Sequence, residues 1–345
     1  MPPLVSAVVL AFGKEELLCE CLSALKSALD RVPSESELIV VANQLGDHAG
    51  IAPSARVLNP GRNLGFSGGV AAALGEARGD WIALVNDDCI VEADALAELL
   101  VTGQQADDVG SVAAQVRFAI RPDLINSAGL EVDELGVAYE RLLGDDAQDD
   151  GDTIEVFGAS GAAALYRRTM LDELGGFDVS FFAYLEDADL AWRARMKNWR
   201  CLYAPRAVAY HHHSATLGHA SRRKDFLVGR NRVRMLAKNA PASQLRAKGL
   251  AILGYDCALV VFAALRHGTA APMRGRLAGL GEWRFYRAEG QADRKPVRLA
   301  PSRGLRAARG RSRIYRQIQR LSAQNPGDSA SEAGITTGQH AADRS

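Results

Sequence analysis

Two neighbouring carboxylates follow a short apolar stretch of the chain. Residues 81–85 are all apolar, and Asn86, Asp87 and Asp88 come directly after them. An unbroken apolar run of this length indicates a strand buried on both faces, and ligands bind beyond the carboxyl ends of such strands in a parallel sheet. Adjacent carboxylates repel each other and lose hydration, which a hard divalent cation at a ligand would offset. The alternative is an Asp-rich cap for a helix over residues 93–100, and this stretch alone does not separate the two.

A second acidic cluster lies further along the chain. Glu186, Asp187 and Asp189 begin a predicted helix over residues 186–197. Because the helix dipole favours anions at its N-terminus, we expect these carboxylates to stay ionised, as a general base must be. The alternative is simple charge complementarity with the helix end. That alternative does not explain the three aromatic residues within 181–184, directly before the cluster.

Three consecutive histidines, residues 211–213, end another apolar stretch. Neighbouring side chains of an extended segment point to opposite sides, so the three cannot all bind one ion. One of them could, because imidazole is a common ligand of divalent metals. We expect His212 and His213 to be solvated loop residues.

Two stretches are rich in small residues. Residues 59–69 form a loop of glycines and asparagines, whose glycines would let a ligand approach the backbone at a helix N-terminus. The loop lacks the G-x-G-x-x-G spacing of a dinucleotide site, and a plain tight turn is the alternative. Residues 156–166 fit a backbone that passes close to a bound substrate, or else tight strand packing.

Alternating strands and helices must position these groups. The predicted strands of the first hundred residues are 5–11, 37–42, 56–58 and 81–85, and the predicted helices are 15–29, 70–77 and 93–100. This alternation predicts an α/β protein, with a mostly parallel central sheet, right-handed crossovers and helices on both faces. For the middle of the chain we expect a strand over 112–120, a loop over 122–136 and an acidic surface loop over 140–152 that begins with Glu140.

Composition limits the class of protein. The 345 residues carry 41 acidic and 41 basic side chains, and their apolar content of 48% is ordinary for a globular protein. Five scattered cysteines without a CxxC pair argue against a disulfide framework and indicate a reducing cytosol. No signal peptide is predicted at the N-terminus, and the apolar run over 250–265, interrupted by Asp256, is too short to cross a bilayer comfortably.

The motifs together resemble the inverting, nucleotide-sugar-dependent glycosyltransferases of family two, which have the GT-A fold. The resemblance covers roughly residues 5–240 and includes rhamnosyl- and galactofuranosyltransferase-like enzymes of bacterial surface glycans. It rests on the order and spacing of residues 63–69, 86–88, 125–129, 175–178 with 181–182, and 186–190 followed by 210–211.

The resemblance implies a role for each matched residue. Asp88 resembles the last acid of the D-x-D-type motif, which binds Mg²⁺ or Mn²⁺ on the donor diphosphate, and His211 resembles the histidine that completes this metal site. Asp187 resembles the catalytic base. Donor contacts are expected from Asn43, Asn63, Gly65, Asn86 and Asp87, and acceptor-side contacts from Ser160, Gly161 and Glu186. The expected donor is a UDP- or dTDP-sugar.

The sequence also departs from the family pattern. Ala42 replaces the aspartate that usually contacts the nucleotide base, and Val70 and Ala71 replace asparagines. The Gln-x-x-Arg-Trp motif of processive synthases is absent, so we expect transfer of a single sugar. Arg230 or Arg232, in that neighbourhood, is a hypothetical diphosphate contact, and surface solvation is the alternative for both.

The resemblance divides the chain into three parts. Residues 1–240 are the predicted catalytic domain, 241–320 a basic helical extension and 321–345 a disordered tail. Residues 283–320 carry twelve Lys and Arg with interleaved aromatics, which suits an anionic membrane surface or nucleic acid. Because acceptors of this family are often lipid-linked, we expect peripheral membrane contact through 250–320 at the inner face of the cell membrane, and no nucleic-acid partner. A helix pair that closes the domain is the alternative.

Two other functions compete with the transferase hypothesis. A sugar nucleotidyltransferase would need a G-x-G-T-R-type loop after the first strand, which the sequence does not supply. A degenerate GT-A domain that binds nucleotide or glycan without turnover would be consistent with Ala42, Val70 and Ala71.

Overall fold

The central strand β1 (Val5–Ala11) is buried along its whole length. It is part of a computed structural model that describes residues 5–12, 15–33, 35–43, 55–212, 221–290 and 294–324. His213 and most of the predicted tail lie outside the described residues. β1 is buried on both faces because all but one of its residues are apolar or alanine, as the sequence predicts for a strand between two helical layers.

The described strands after β1 are short except for β6 and β12. They are β2 (Ser36–Ala42), β3 (Arg56–Leu58), β4 (Trp81–Asn86), β5 (Cys89–Val91), β6 (Val109–Phe118), β7 (Arg121–Ser127), β8 (Leu130–Val132), β9 (Ala138–Glu140), β10 (Ile154–Val156), β11 (Ala163–Arg167) and β12 (Arg200–His211).

The described helices fall into a group within the α/β part and a C-terminal group. The first group is α1 (Glu15–Leu29), α2 (Gly65–Glu76), α3 (Ala95–Gly103), α4 (Arg168–Leu174) and α5 (Glu186–Met196), with a 3-10 turn at Val179–Phe181. The second group is α6 (Arg222–Asn239), α7 (Ala242–His267), α8 (Ala271–Gly281), α9 (Trp283–Glu289) and α10 (Gly304–Gln324).

Ten of the described strands form one mixed sheet in the order β10-β12-β6-β11-β4-β1-β2-β3, with β5 on β12 and β7 on β6. The predicted parallel order holds for β3, β2, β1 and β4. It ends at β11, which runs antiparallel between β4 and β6. Helices α1 and α3 pack on one face, and α2, α4 and α5 on the other. The α/β class with flanking helices is therefore confirmed.

The strand register decides which residues meet at the carboxyl edge of the sheet. Leu10 pairs with Asn86, so the chain after β1 and the carboxylates after β4 leave the sheet together. β12 runs antiparallel to β5, and His211 faces Cys89. This pairing places His211 beside the residue that precedes Cys89, which is Asp88. The register thus joins two motifs that are far apart in sequence.

The middle of the chain departs from the sequence prediction. The prediction of a loop over 122–136 is wrong, because most of these residues form β7 and β8. β8 pairs with β9 in a separate two-stranded sheet. The predicted start of the acidic surface loop is also wrong, because Glu140 is the last residue of β9. Short strands with little apolar alternation leave a weak sequence signal, since their pairing partners rather than their own pattern select the extended state.

The C-terminal helices share an apolar core with β8 and α5, through Leu236, Ile252 and Trp192 among others. Asp256 of α7 accepts hydrogen bonds from Arg232 of α6 and Arg276 of α8, each at 2.8 Å, so the charge that interrupts the apolar run is neutralised. The length argument for this run is corrected: α7 has 26 residues and is the one described helix long and apolar enough to cross a membrane.

Candidate active site

A cavity of about 480 Å³ opens at the carboxyl edge of the sheet. All residues that the sequence assigns to donor, acceptor, base and metal line it: Asn43, Asn63, Gly65, Asn86, Asp87, Asp88, Ser160, Gly161, Glu186, Asp187 and His211. These residues come from six separate segments of the chain. Their convergence in one cavity fits the roles that the resemblance implies, and each role remains a prediction.

Asp88 and His211 are in direct contact. His211 Nε2 lies 3.1 Å from Asp88 Oδ1, and His211 Nδ1 lies 2.8 Å from Asn126 Oδ1, which fixes the ring. Burial alone would lower the pKa of His211, but the charge and hydrogen bond of Asp88 outweigh it and raise that pKa. Burial likewise opposes the charge of Asp88, and His211 nevertheless keeps the pKa of that carboxyl below its usual value.

This pair has the donor types that a divalent metal takes in proteins. A carboxylate oxygen and an imidazole nitrogen meet at one point of the cavity wall, and Asn126 orients the imidazole from behind, as outer partners of metal-ligating histidines do. Within the described residues no group of three or more His, Cys, Asp or Glu could hold a metal. The pair therefore fits an ion that takes its other ligands from a diphosphate and water.

Asp87 joins the ends of β1 and β4. Its Oδ2 accepts a 2.7 Å hydrogen bond from the backbone N–H of Phe12, and the residue is 6% exposed. This contact turns the Asp87 side chain toward the chain that leaves β1. Asp87 and Asp88 thus point to different partners, although they are adjacent in sequence.

The glycine- and asparagine-rich loop is held by its own asparagines. Asn43 accepts a 2.7 Å hydrogen bond from Leu64 N–H and donates a 3.0 Å bond to Gly65 O, while Asn63 accepts from Gly65 N–H at 2.8 Å. Asn43 therefore clamps the loop with its amide. Gly65 has a φ of 71°, and a Cβ there would lie 2.3 Å from Phe182 O, so only glycine fits.

Asp187 lies at the N-terminus of α5, where backbone donors hold its carboxylate. Its Oδ1 accepts from Ala188 N–H at 2.8 Å and its Oδ2 from Gly161 N–H at 3.3 Å. Burial raises the pKa of Asp187, and these two hydrogen bonds oppose the shift. Burial therefore sets the direction of the Asp187 pKa shift, whereas the sequence argument relied on the dipole of the helix. A positioned carboxylate with a raised pKa accepts a proton more readily.

Glu186 is buried beside Asp187. Burial and the neighbouring Asp187 charge raise the pKa of Glu186 well above its usual value. Its Oε2 has no hydrogen-bond partner within the part of the chain that the structure describes. A buried carboxyl oxygen without a partner is a polar group that a bound hydroxyl would satisfy.

The aromatic segment before α5 has an unusual backbone. Phe182, Tyr184 and Leu185 have φ values of 66°, 71° and 67°, a region that costs energy for residues with a side chain. Asn231 of α6 holds this turn, because its amide donates to the carbonyls of Phe181, Ala183 and Tyr184 at 2.8–2.9 Å. The sequence showed Asn231 only as part of a basic segment and gave no signal for this contact.

The hypothesis that Arg230 or Arg232 meets the diphosphate is not supported. Arg230 donates to the carbonyls of Ser180 and Phe181, and Arg232 to Asp256 and the carbonyls of Leu135 and Gly136. Neither lines the cavity. The cations that do line it are Arg223, Lys224 and Arg311.

Several other cavity residues escaped sequence reasoning. Arg223 lies over the Phe182 ring and Lys224 over the Tyr184 ring, and Tyr315 of α10 packs against Phe118. Glu140 is the fifth carboxyl of the cavity. Nothing in the local sequence of these residues marks them, because only tertiary packing brings them to the site.

The family described as Glycosyltransferase like family 2 matches residues 2–225. The chain belongs to this family. Membership confirms the family and the class of enzyme that the motifs predict. The chain is also 29% identical over 190 residues to an N-acetylglucosaminyl-diphospho-decaprenol L-rhamnosyltransferase of Mycobacterium tuberculosis, a match that covers 48% of this chain and 61% of the relative. The chain spans less than two-thirds of the length of the curated relatives it matches.

Solved structures share the fold at low sequence identity. The mannosyltransferase PcManGT of Pyrobaculum calidifontis, in complex with GDP-Man and Mn²⁺, is similar at a TM-score of 0.50 and 17% identity, over 83% of this chain and 88% of that one. A fragment of S. aureus TarS in complex with UDP-GlcNAc is similar at a TM-score of 0.53 and 15% identity. This match covers 93% of the present chain and 92% of the TarS fragment. These similarities confirm the GT-A fold.

The clamp formed by Asn231 yields a first prediction. Replacing Asn231 with leucine leaves the carbonyls of Ala183 and Tyr184 without their side-chain donor, while Phe181 keeps its bond from Arg230. We expect this change to lower the free energy of unfolding by about 3 kcal/mol. The loosened turn precedes Asp187 directly, so we also expect sugar transfer to slow by roughly 100-fold through displacement of this predicted base. Urea unfolding and initial-rate assays measure the two effects. The exposed Gln104→Leu is the control, and equal behaviour of both variants would contradict the clamp.

Proposed function

We propose that this protein transfers one sugar from a nucleoside-diphosphate sugar to a glycan or lipid-linked acceptor, with inversion and with a divalent metal. The observation that carries the proposal is the shared cavity: the Asp88–His211 contact and the backbone-held Asp187 carboxylate line the same 480 Å³ space. A charge-stabilising end and a proton-accepting end are the two parts that direct displacement needs.

At the donor end, Asp88 and His211 would hold Mg²⁺ or Mn²⁺. The bound ion would supply Lewis-acid stabilisation of the charge on the departing diphosphate. Mn²⁺ in the Pyrobaculum calidifontis mannosyltransferase complex supports this choice. Arg223 and Lys224 carry further positive charge into the cavity and have no ion-pair partner in the described part of the chain. Their charge would favour an anionic donor such as a UDP- or dTDP-sugar.

At the acceptor end, Asp187 takes the proton of the attacking hydroxyl. The acceptor oxygen forms a bond to the anomeric carbon while the bond from that carbon to the diphosphate oxygen breaks, and the nucleoside diphosphate leaves with the electron pair. One displacement inverts the anomeric centre. Ser160, Gly161 and Glu186 lie next to Asp187 and would contact the acceptor.

The acceptor class follows from the relative and from the surface of the C-terminal helices. The Mycobacterium tuberculosis relative is named for a decaprenol-linked substrate. On α7, Leu250 and Leu265 are 89% and 84% exposed, and residues 249–265 carry no charge except the paired Asp256. The exposed Arg246 and Arg266 lie at the two ends of this apolar run, and α8 and α9 carry the exposed Arg274 and Arg284.

An apolar face with a basic rim fits an anionic bilayer surface. The buried Ile252, Tyr255 and Ala263 face the body of the protein, so α7 would lie along the membrane rather than cross it. We therefore propose peripheral attachment at the cytoplasmic face, where a lipid-linked acceptor would be presented.

The base assignment leads to a second prediction. Asp187→Asn keeps the size of the side chain and removes its basicity, so we expect sugar transfer to fall by roughly 10³-fold. Donor binding in the presence of Mn²⁺ should stay within about 2-fold, because the charged groups of the donor end remain. Initial rates with a UDP- and dTDP-sugar panel and calorimetry measure these quantities. The surface variant Asp172→Asn is the control, and wild-type transfer by Asp187→Asn would exclude this base.

The same experiment distinguishes the proposed transferase from a degenerate GT-A domain that only binds nucleotide or glycan. A binding module would bind nucleotide in wild-type form and transfer no sugar from any donor in the panel.

The membrane proposal leads to a third prediction. Changing Leu250 and Leu265 together to glutamate removes two apolar anchors, each worth about 1.5–3 kcal/mol when buried, so binding to phosphatidylglycerol-containing vesicles should fall by more than about 10-fold. Co-sedimentation measures the bound fraction. The matched control is Val101→Glu, which adds a charge at an exposed apolar site on α3. Equal binding by all three proteins would contradict the assigned surface.

A further inference from the structure

Glu140 is a carboxyl in the cavity to which neither the sequence nor the donor chemistry gives a role. It is the last residue of β9, pairs with Leu130 of β8, and lines the cavity. Two serine hydroxyls donate to it: Ser127 to Oε2, and Ser160 to Oε1 at 3.2 Å. Glu140 makes no ion pair with the described residues.

Consecutive residues hold Glu140 and Asp187. Ser160 donates its hydroxyl to Glu140, and Gly161 donates its N–H to Asp187. The carboxyls of Glu140 and Asp187 are therefore held by neighbouring donors of one backbone segment, which lies between β10 and β11. Two carboxyls in this arrangement repel each other when both are charged. Burial and the Asp187 charge accordingly raise the pKa of Glu140 to about 7.

The surroundings of Glu140 suit a sugar. Tyr315 of α10 lines the same cavity and stacks edge-on against Phe118, with ring centroids 6.2 Å apart. Arg311 of α10 lies over the ring of Tyr139, the neighbour of Glu140. An aromatic wall beside hydrogen-bonding carboxyls and hydroxyls presents one apolar face and several polar contacts, as a sugar ring requires.

The proposal rests on the transferase function described above. We propose that Glu140 binds the hydroxyl next to the one that Asp187 deprotonates, so that the acceptor is a sugar with two adjacent free hydroxyls. Asp187 acts on the attacking hydroxyl, and Glu140 fixes its neighbour and thereby the position of attack. Glu140 is a specificity-determining residue of the acceptor site, and Ser127 and Ser160 orient it.

Helix α10 also contributes to the cavity. α10 lies outside residues 2–225, which the family shares. Tyr315 and Arg311 bring α10 into the cavity that Glu140 lines.

The test uses a synthetic N-acetylglucosaminyl diphosphate on a short isoprenoid, together with its 3-deoxy and 4-deoxy derivatives. The deoxy derivative that lacks the attacking hydroxyl gives no product. With wild-type protein, the other derivative should lose roughly 10- to 100-fold in kcat/KM, the effect of one hydrogen bond to a charged group. In Glu140→Ala, kcat/KM for the parent acceptor should fall by the same factor. Its kcat/KM for that derivative should be little lower than its value for the parent acceptor.

Donor hydrolysis without acceptor is the second readout. It depends on the donor end and on water, so it should stay within about 2-fold in Glu140→Ala. Glu140→Gln keeps the shape and one acceptor oxygen, and should recover part of the lost kcat/KM without changing the thermal midpoint. Glu98→Gln, on α3 and outside the cavity, is the matched control.

Three results would overturn the assignment. The first is an unchanged kcat/KM of Glu140→Ala on the parent acceptor. The second is an equal loss of donor hydrolysis, which would indicate a general effect on the site. The third is continued discrimination between parent and deoxy acceptors by the variant. Absence of both hydrolysis and transfer in the wild-type protein would instead refute the proposed function, and the role of Glu140 with it.

Discussion

Crowding of negative charge is the constraint on which this site depends. Asp87, Asp88, Glu140, Glu186 and Asp187 line one cavity, and burial raises the pKa of three of them, Glu140, Glu186 and Asp187. Buried carboxylates without counter-charges are unfavourable, so the fold must either protonate them, pair them or leave them for a ligand. In this cavity burial raises the pKa of Glu186, Asp88 is paired with His211, and backbone N–H groups hold Asp187.

The same crowding divides the cavity into two ends with different chemistry. Asp88 and His211 present a carboxylate and an imidazole, and cations from the N-terminus of α6 lie in the same cavity. Asp187 and Glu140 present carboxyls whose hydrogen-bond partners are neutral. Under the proposed function, an anionic donor would be drawn to the first end, and a hydroxyl that must lose a proton to the second. Asn43 holds the glycine loop and Asn231 holds the turn before α5, and both segments border the cavity.

Sequence patterns predicted the parts of the fold that depend on local pattern. The strands β1 to β4, the helices between them and the placement of Asp88 at a strand end follow from apolar runs and from the geometry of parallel sheets. The contact between Asp88 and His211 needed the antiparallel register of β5 and β12, which no local pattern carries. Glu140 was placed in a surface loop because its strand is three residues long and acidic residues follow it. Asn231 was missed because its partners are backbone carbonyls, which have no sequence signal.

The central claim is that Asp88 and His211 hold a divalent metal at the donor diphosphate. Calorimetric titration of Mn²⁺ into the protein with UDP present tests it most directly, with His211→Ala, Asp88→Asn and the distant His267→Ala compared. We predict one Mn²⁺ site in the wild-type and His267→Ala proteins, and at least a roughly 10-fold weaker affinity in the other two. Equal Mn²⁺ affinity in all four proteins would contradict the claim.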